Sequence, residues 1–248
     1  SIPPSDLRCF IPSLKNFQRR INMESTFSGT DDQLTLSELR MATQEKDIDL
    51  YISGWLENLK QPAWHLQMNH IYLSDTSIDF LTKAFGQIPN ELTRIGNLQL
   101  SGVCDRNLQG ETTLTSAIRS GAGNINLQMD MTREKLFNGK VSTNGINLRQ
   151  LLVNDKFGQL ATNISLSGRL RDQQKPDITV DGMVSQFDYN GYSYNNIALN
   201  GSYRQGDIAG VFSIDDPNVS AQLKGEVTEA LFEETATKTR KVRITGSI

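Results

Sequence analysis

The sequence predicts a mostly β chain of antiparallel strands that share one apolar face, and three observations carry that expectation. The first is a repeated motif: two apolar residues alternate with polar ones, and glycine takes the third place of the apolar parity. It appears as LYISG (Leu50, Ile52, Gly54), LQLSG (Leu98, Leu100, Gly102), ISLSG (Ile164, Leu166, Gly168) and ITVDG (Ile178, Val180, Gly182). It returns as IALNG (Ile197, Leu199, Gly201), AQLKG (Ala221, Leu223, Gly225) and VRITG (Val242, Ile244, Gly246), with FSG at 27–29 a weaker copy. The second is turn chemistry between alternating runs: Asn190-Gly191, Gln205-Gly206 and Asp216-Pro217-Asn218 each mark a chain reversal. The third is composition. A hydrophobic content of 37% and a mean hydropathy of -0.41 are lean for a thick core and suit a sheet with one wet face.

The elements follow in order. PSDLRCFIPSL holds a short helical turn that Ser5 or Asp6 would cap and Pro12 would end. Strands are expected near 20–28, 33–41, 47–57 and 63–73. TSIDFLTKAF, 76–85, reads as the one short helix, with Thr76 and Asp79 in a capping box, Gly86 and Pro89 beyond its end, and Ile78, Leu81 and Phe85 on one stripe. Its expected task is to cover one end of a sheet. Strands resume near 94–104, 108–118, 123–132 and 137–144. NLRQLL, 147–152, is a single helical turn, and an antiparallel meander runs from 157 onward. The last four motif glycines are 19, 24 and 21 residues apart, a spacing too variable for a tightly wound solenoid and suited to two-strand units with unequal loops. No linker or low-complexity segment divides residues 1–248, which read as a single elongated β-repeat segment.

Several function classes find no support. The net charge of -3 comes with Lys and Arg spread along the chain, so no basic stripe points to nucleic acid; KTRKVR at 238–243 reads as one solvated strand face. His65 and His70 are five apart, which strict alternation places on opposite faces, so they would not share a metal. Asp31-Asp32 and Asp215-Asp216 read as turn residues without the ligand series of a calcium loop. No HExxH, GxSxG, P-loop or dinucleotide-binding glycine pattern occurs, and no cofactor is expected. Cys9 and Cys104 form no CxxC, and their spacing leaves both a disulfide and two free thiols open. The opening SIPPSD without Met and the closing VRITGSI read as internal to a longer protein.

FDYNGYSYNNIALNGSYRQGDIAGVFSIDDPNVSAQLKGEV resembles the AsmA-like family, in particular TamB-like proteins of Bacteroidota. The matching residues are Tyr189 to Tyr192, Asn196 to Gly201, Tyr203, Gly210, Asp215 to Asn218, Leu223 and Gly225. NGINLRQLL and the segment SDLRCFIPSLKNFQRRINMESTFSGTDDQLTLSEL are similar to other stretches of the same family. The resemblance implies a strongly bent sheet folded lengthwise into a trough, or β-taco, with an apolar inner face. It also implies a periplasmic location, a parent anchored in the inner membrane, and work in moving phospholipid to the outer membrane or assembling outer-membrane proteins.

In that setting the motif residues become groove candidates: Ile164, Leu166, Gly168, Ile178, Val180, Gly182, Ile197, Leu199, Gly201, Ala221, Leu223 and Gly225. Glycine on the inner parity relieves crowding in a bend and lets an acyl chain approach the backbone. Shaping a closed core would ask the same of it. Two non-enzymatic readings follow. One is an apolar groove for phospholipid acyl chains. The other is a scaffold that takes partners, outer-membrane assembly proteins among them, by strand addition. Open strand edges would also let the segment self-associate. The inner face discriminates: small residues keep a groove open, whereas large ones seal a core.

Overall fold

The computed structural model describes residues 20–78, 93–170, 176–229 and 240–247. Their strands form one antiparallel 15-stranded sheet, and nearly every strand pairs with its sequence neighbours. The path runs β1 (Ile21–Gly29), β2 (Gln33–Thr43), β3 (Ile48–Glu57), β4 (Ala63–Leu73), β5 (Leu98–Arg106), β6 (Thr112–Ser120), β7 (Gly123–Met131) and β8 (Leu136–Asn147). It continues through β9 (Phe157–Arg169), β10 (Asp177–Tyr189), β12 (Ile197–Arg204), β13 (Asp207–Asp216), β14 (Val219–Glu229) and β15 (Arg240–Ser247). The short β11 (Tyr192–Tyr194) pairs only with β10. β1 and β15 do not meet, so the sheet is open. At about 4.8 Å per strand, thirteen steps make it roughly 62 Å long.

The hairpins obey their turn residues. Asn190 and Gly191 adopt φ of 50° and 82° between Tyr189 and its partner Tyr192, and Gln205 and Gly206 adopt 54° and 107° between Arg204 and Asp207. Both loops have the two positive φ values that match the twist of the flanking strands.

Antiparallel partners share a face, so the registers define rows that cross the sheet along its length. All the apolar motif residues fall on one face, in five rows. The first contains Ile21, Thr43, Ile48, Leu73 and Leu98 and reaches Ile146, Leu160 and Phe187. The second includes Leu50, Ile71, Leu100 and Ile118, then Val184, Ile197 and Ile214. These two rows hold most of the core. Ile21, Ile48, Ile146, Val184, Ile197 and Ile214 are buried, Ile197 being 3% exposed. Rows three to five contain every motif glycine, and their apolar residues of described burial are half-buried or exposed, with Ser116 and Thr112 the buried polar members.

One long margin is covered. Ser74 caps a helical turn at 75–78 through its side chain, accepting from Ser77 N at 3.2 Å. The cap therefore lies two residues before the expected Thr76, and 79–85 of the expected helix lie outside the described residues. Ile78 packs with Ile95 and Ala122 against Leu73, Leu98 and Leu151. Leu151 belongs to α1 (Leu148–Leu152), which Asn147 caps by accepting from Gln150 N at 3.3 Å. α1 is held down by Gln150 Nε2 to Arg94 O (2.7 Å) and Arg94 Nη1 to Leu151 O (3.1 Å).

Curvature has two local sources. Extra residues interrupt the pairing of β2 at Ser37-Glu38, β4 at Asn69-His70 and β8 at Asn144-Gly145, each against both neighbours, with further irregularities where β9 meets β10. Such bulges bend a strand and raise its twist. The second source is glycine. A Cβ on Gly54 would lie 2.2 Å from His65 O, on Gly102 2.2 Å from Thr115 O, and on Gly168 2.0 Å from Asp177 O. The adjacent strand leans over the apolar face there, into space that any side chain would fill.

Candidate functional site

The apolar face of rows three to five is the candidate site. The third row reads Ser25, Leu39, Ile52, Met68, Gly102, Ser116, Leu127, Val141, Ile164, Gly182, Leu199, Phe212, Leu223 and Gly246. The fourth reads Phe27, Leu36, Gly54, Leu66, Cys104, Leu114, Met129, Gly139, Leu166, Val180, Gly201, Gly210, Gly225 and Ile244. The fourth row crosses the whole path without a charged residue. The fifth runs from Gly29 and Leu34 through Leu56 and Trp64 to Arg106 and Thr112, then through Met131, Phe137, Gly168, Ile178, Tyr203 and Ile208 to Val227. Arg106 is the one charged residue these three rows contain among the described residues.

Two apolar hollows open on this face. Over β10 and β12–β14 lies one of about 590 Å³. Gly201, Gly210 and Gly225, paired across three adjacent strands, make its floor. Leu199, Phe212 and Leu223 form one wall, and Tyr203, Ile208 and Val227 the other. Two of the three floor glycines, Gly201 and Gly225, differ from those in the creases. Nothing lies within 4 Å of a Cβ built on Gly225, and the nearest atom to one on Gly201 is Ala209 O at 3.4 Å. At these two the missing side chains leave open space, whereas a Cβ on Gly210 between them would lie 2.9 Å from Asn200 O. Leu223 is 39% and Ile208 52% exposed, so the walls are open to solvent. The second hollow, about 390 Å³, lies over β2–β4 and is lined by Leu34, Leu36, Gly54, Leu56, Trp64 and Leu66.

The twelve groove candidates divide accordingly. Leu199, Gly201, Leu223, Gly225 and Val180 line the larger hollow. Ile164, Leu166 and Ile178 share its face on β9 and β10, and Gly168 and Gly182 sit in creases. Ile197 is sealed, in a cluster with Val184 and Ile214 against which Ala221 packs. Sequence parity groups all twelve but does not separate groove from core. The aromatic residues divide too. Tyr189, Tyr192 and Tyr194 gather with Phe157 and Phe187, whereas Tyr203 stands at the far end of β12 as groove wall, because that strand runs away from the hairpin.

The polar face carries a hollow of its own, about 470 Å³ over β7–β10, lined by Gln128, Asp130, Asn138, Lys140, Ser165, Ser167, Thr179 and Asp181. A twisted sheet is saddle-shaped, concave on each face along a different diagonal.

Two side-chain readings change. The bulge in β4 restores parity, so His65, opposite Trp55, and His70, opposite Tyr51, occupy one face. His65 Nδ1 lies 2.5 Å from Asp105 Oδ1 and its ring stacks on Trp55, while His70 is exposed. Among the described residues no three His, Cys, Asp or Glu could hold a metal ion. Asp216, expected as a turn residue, ends β13 and is 5% exposed. It accepts from Tyr192 OH, Asn218 N (3.0 Å) and Asn195 N (3.0 Å), tying the β11 hairpin to the turn before β14. The Tyr192 hydroxyl, above all, holds the Asp216 carboxyl below its ordinary value, and the same bond raises the tyrosine. Cys104 is a free thiol raised by burial, and Cys9 lies outside the described residues. No described helix is long and apolar enough to cross a membrane.

No family model matches the chain, and neither curated proteins nor solved structures yield a match.

Proposed function

We propose that the chain is a non-enzymatic module of the bacterial cell envelope, a periplasmic segment of an AsmA-like, TamB-like protein anchored in the inner membrane. Its apolar groove would bind or conduct phospholipid acyl chains between inner and outer membranes. The observation that carries this reading is the fourth row, an uncharged apolar-or-glycine path across fourteen strands that widens over Gly201, Gly210 and Gly225. Each CH₂ moved from water to such a surface contributes about 0.8 kcal/mol, so a continuous apolar path retains a chain without a catalytic group. The resemblance supplies the cellular setting.

Native mass spectrometry of the purified chain tests it. Co-purified phospholipid is expected, and Gly225→Leu, which fills the floor of the larger hollow, should diminish it while the protein still folds. A wild-type chain that carries no lipid and takes none from vesicles would refute the reading.

The scaffold reading has its own observation. β1 and β15 each have one edge without a partner strand among the described residues, a geometry suited to strand addition. Crosslinks from a partner to those edges, with no lipid in the groove, would favour it.

A further inference from the structure

We infer that Lys60, Arg106 and Arg133 form a binding site for a phosphate-class oxyanion at the margin of the apolar face. The three residues come from neighbouring hairpins. Lys60 lies between β3 and β4, Arg106 ends β5, and Arg133 lies between β7 and β8. They line one hollow of about 180 Å³ with Gln61, Pro62 and Gly110, and no acidic residue lines it. Among the described residues no carboxylate pairs with any of the three. Arg106 and Arg133 both crowd Gly110, where an added Cβ would lie 3.3 Å from Arg106 Nη2 and 3.4 Å from Arg133 Cγ. The Arg106 guanidinium and the Arg133 stem thus meet over one glycine.

Arg106 supplies the second observation. Its Nε is buried without a hydrogen-bond partner. Buried donors are nearly always satisfied, and one left open points to a missing water or ion. An oxyanion fits best. It supplies several acceptors to a guanidinium fork and offsets the positive charge of the three residues that line the hollow.

The site also adjoins an apolar one. Arg106 pairs across the sheet with Trp64, which lines the 390 Å³ hollow over β2–β4. A cationic hollow beside an apolar one matches an amphiphile with a phosphate head and an acyl tail. This assignment of the head rests on the groove reading above; the oxyanion site itself does not. A lipid phosphodiester and free phosphate share the chemistry, and the experiment separates them.

Fluorescent phosphatidylglycerol and a diacylglycerol with the same chains are offered to the protein from phosphatidylcholine vesicles, and inorganic phosphate is titrated separately. The proteins are wild type, Lys60→Gln, Arg133→Gln and Arg106→Lys. The first two variants alter loop side chains, and the third keeps the charge but loses the fork; thermal melts confirm folding. Each variant is expected to capture phosphatidylglycerol about tenfold less, the loss of one charge-assisted hydrogen bond, with diacylglycerol capture unchanged. Equal loss of both lipids, or loss of neither, overturns the head-group site. If wild type captures neither lipid, the groove reading fails and phosphate titration decides. Binding that Arg133→Gln abolishes establishes a free-phosphate site, and no binding by wild type overturns it.

Discussion

Replacing glycine by alanine at creased and open positions separates two uses of one residue. At Gly168 the new Cβ would lie 2.0 Å from Asp177 O and 3.1 Å from Ile178 Cα, both backbone atoms of β10. Backbone in a paired strand yields only if the crease opens. Overpacking of this kind costs about 1–3 kcal/mol. Alanine recovers about 0.5–1 kcal/mol of strand propensity, which leaves a net loss of about 1–2 kcal/mol. At about 2–4 °C per kcal/mol for a chain of this size, Gly168→Ala should melt ~2–8 °C below wild type. Gly54→Ala and Gly102→Ala, each with a carbonyl oxygen at 2.2 Å, should behave alike. Gly225→Ala meets nothing within 4 Å, so only the propensity gain acts and its melting point should hold or rise slightly. Thermal melts followed by circular dichroism, with urea midpoints beside them, read the difference. If all four variants melt together, the close approach does not require glycine and the account of the creases fails.

Ile197→Ala empties a sealed position and should cost about 2–5 kcal/mol, whereas Leu223→Ala, from a residue 39% exposed, should cost under about 1 kcal/mol; equal urea midpoints would contradict an open groove beside a sealed margin. Val153 ends α1 at φ 50° and ψ 49°, a poor conformation for a β-branched residue, with the side chain 70% exposed, so Val153→Gly should stabilise by about 1 kcal/mol in the same assay. The Asp216 carboxyl is held below its ordinary 3.8 and Tyr192 above 10.0. The clasp therefore contributes fully between those values, loses effect as pH falls below about 4 through the lowered carboxyl pKa, and again as pH rises above about 10 through the raised phenol pKa. Both limbs of the pH–stability curve should flatten in Tyr192→Phe.

Much of this architecture is legible in the sequence because strand parity is a local property. Expected strands at 63–73 and 123–132 match β4 and β7 within a residue, and the single turn at 147–152 is α1 with its cap. β5 and β6 each begin four residues later than expected: before β5 the chain crosses the covered margin through Ile95, and before β6 it turns at 107–111, where Asn107 bonds Gly110 and Glu111. Unbroken alternation misplaces the histidines, because β4 carries a bulge between them. The signal against it was present: Trp64, Leu66 and Met68 share one parity and Ile71 and Leu73 the other, as a bulge between them requires. Asp216 gave no comparable signal, because its burial depends on Tyr192 and Asn195 arriving from the previous hairpin.

The glycines mark the boundary of what one-dimensional reading resolves. Gly168 and Gly225 close the same five-residue motif on the same parity, yet one is crossed by a neighbouring carbonyl and the other lies bare. The distinction arises from what stands opposite. Gly168 lies between Phe137 and Ile178, where bulk on both sides requires the backbone to fold around it. Gly225 faces Gly210, which faces Gly201 in turn, so three strands lie side by side with no side chain between them. Creases gather the sheet toward its apolar face, and the bare run widens the space so gathered. Arg106 departs from the same pattern in the opposite sense, placing a charge where parity calls for an apolar residue. It does so at the margin, where rows end and solvent begins. A face built this way offers apolar surface along its length and, at one point of its margin, the local group of Lys60, Arg106 and Arg133 on which the proposed head-group site rests.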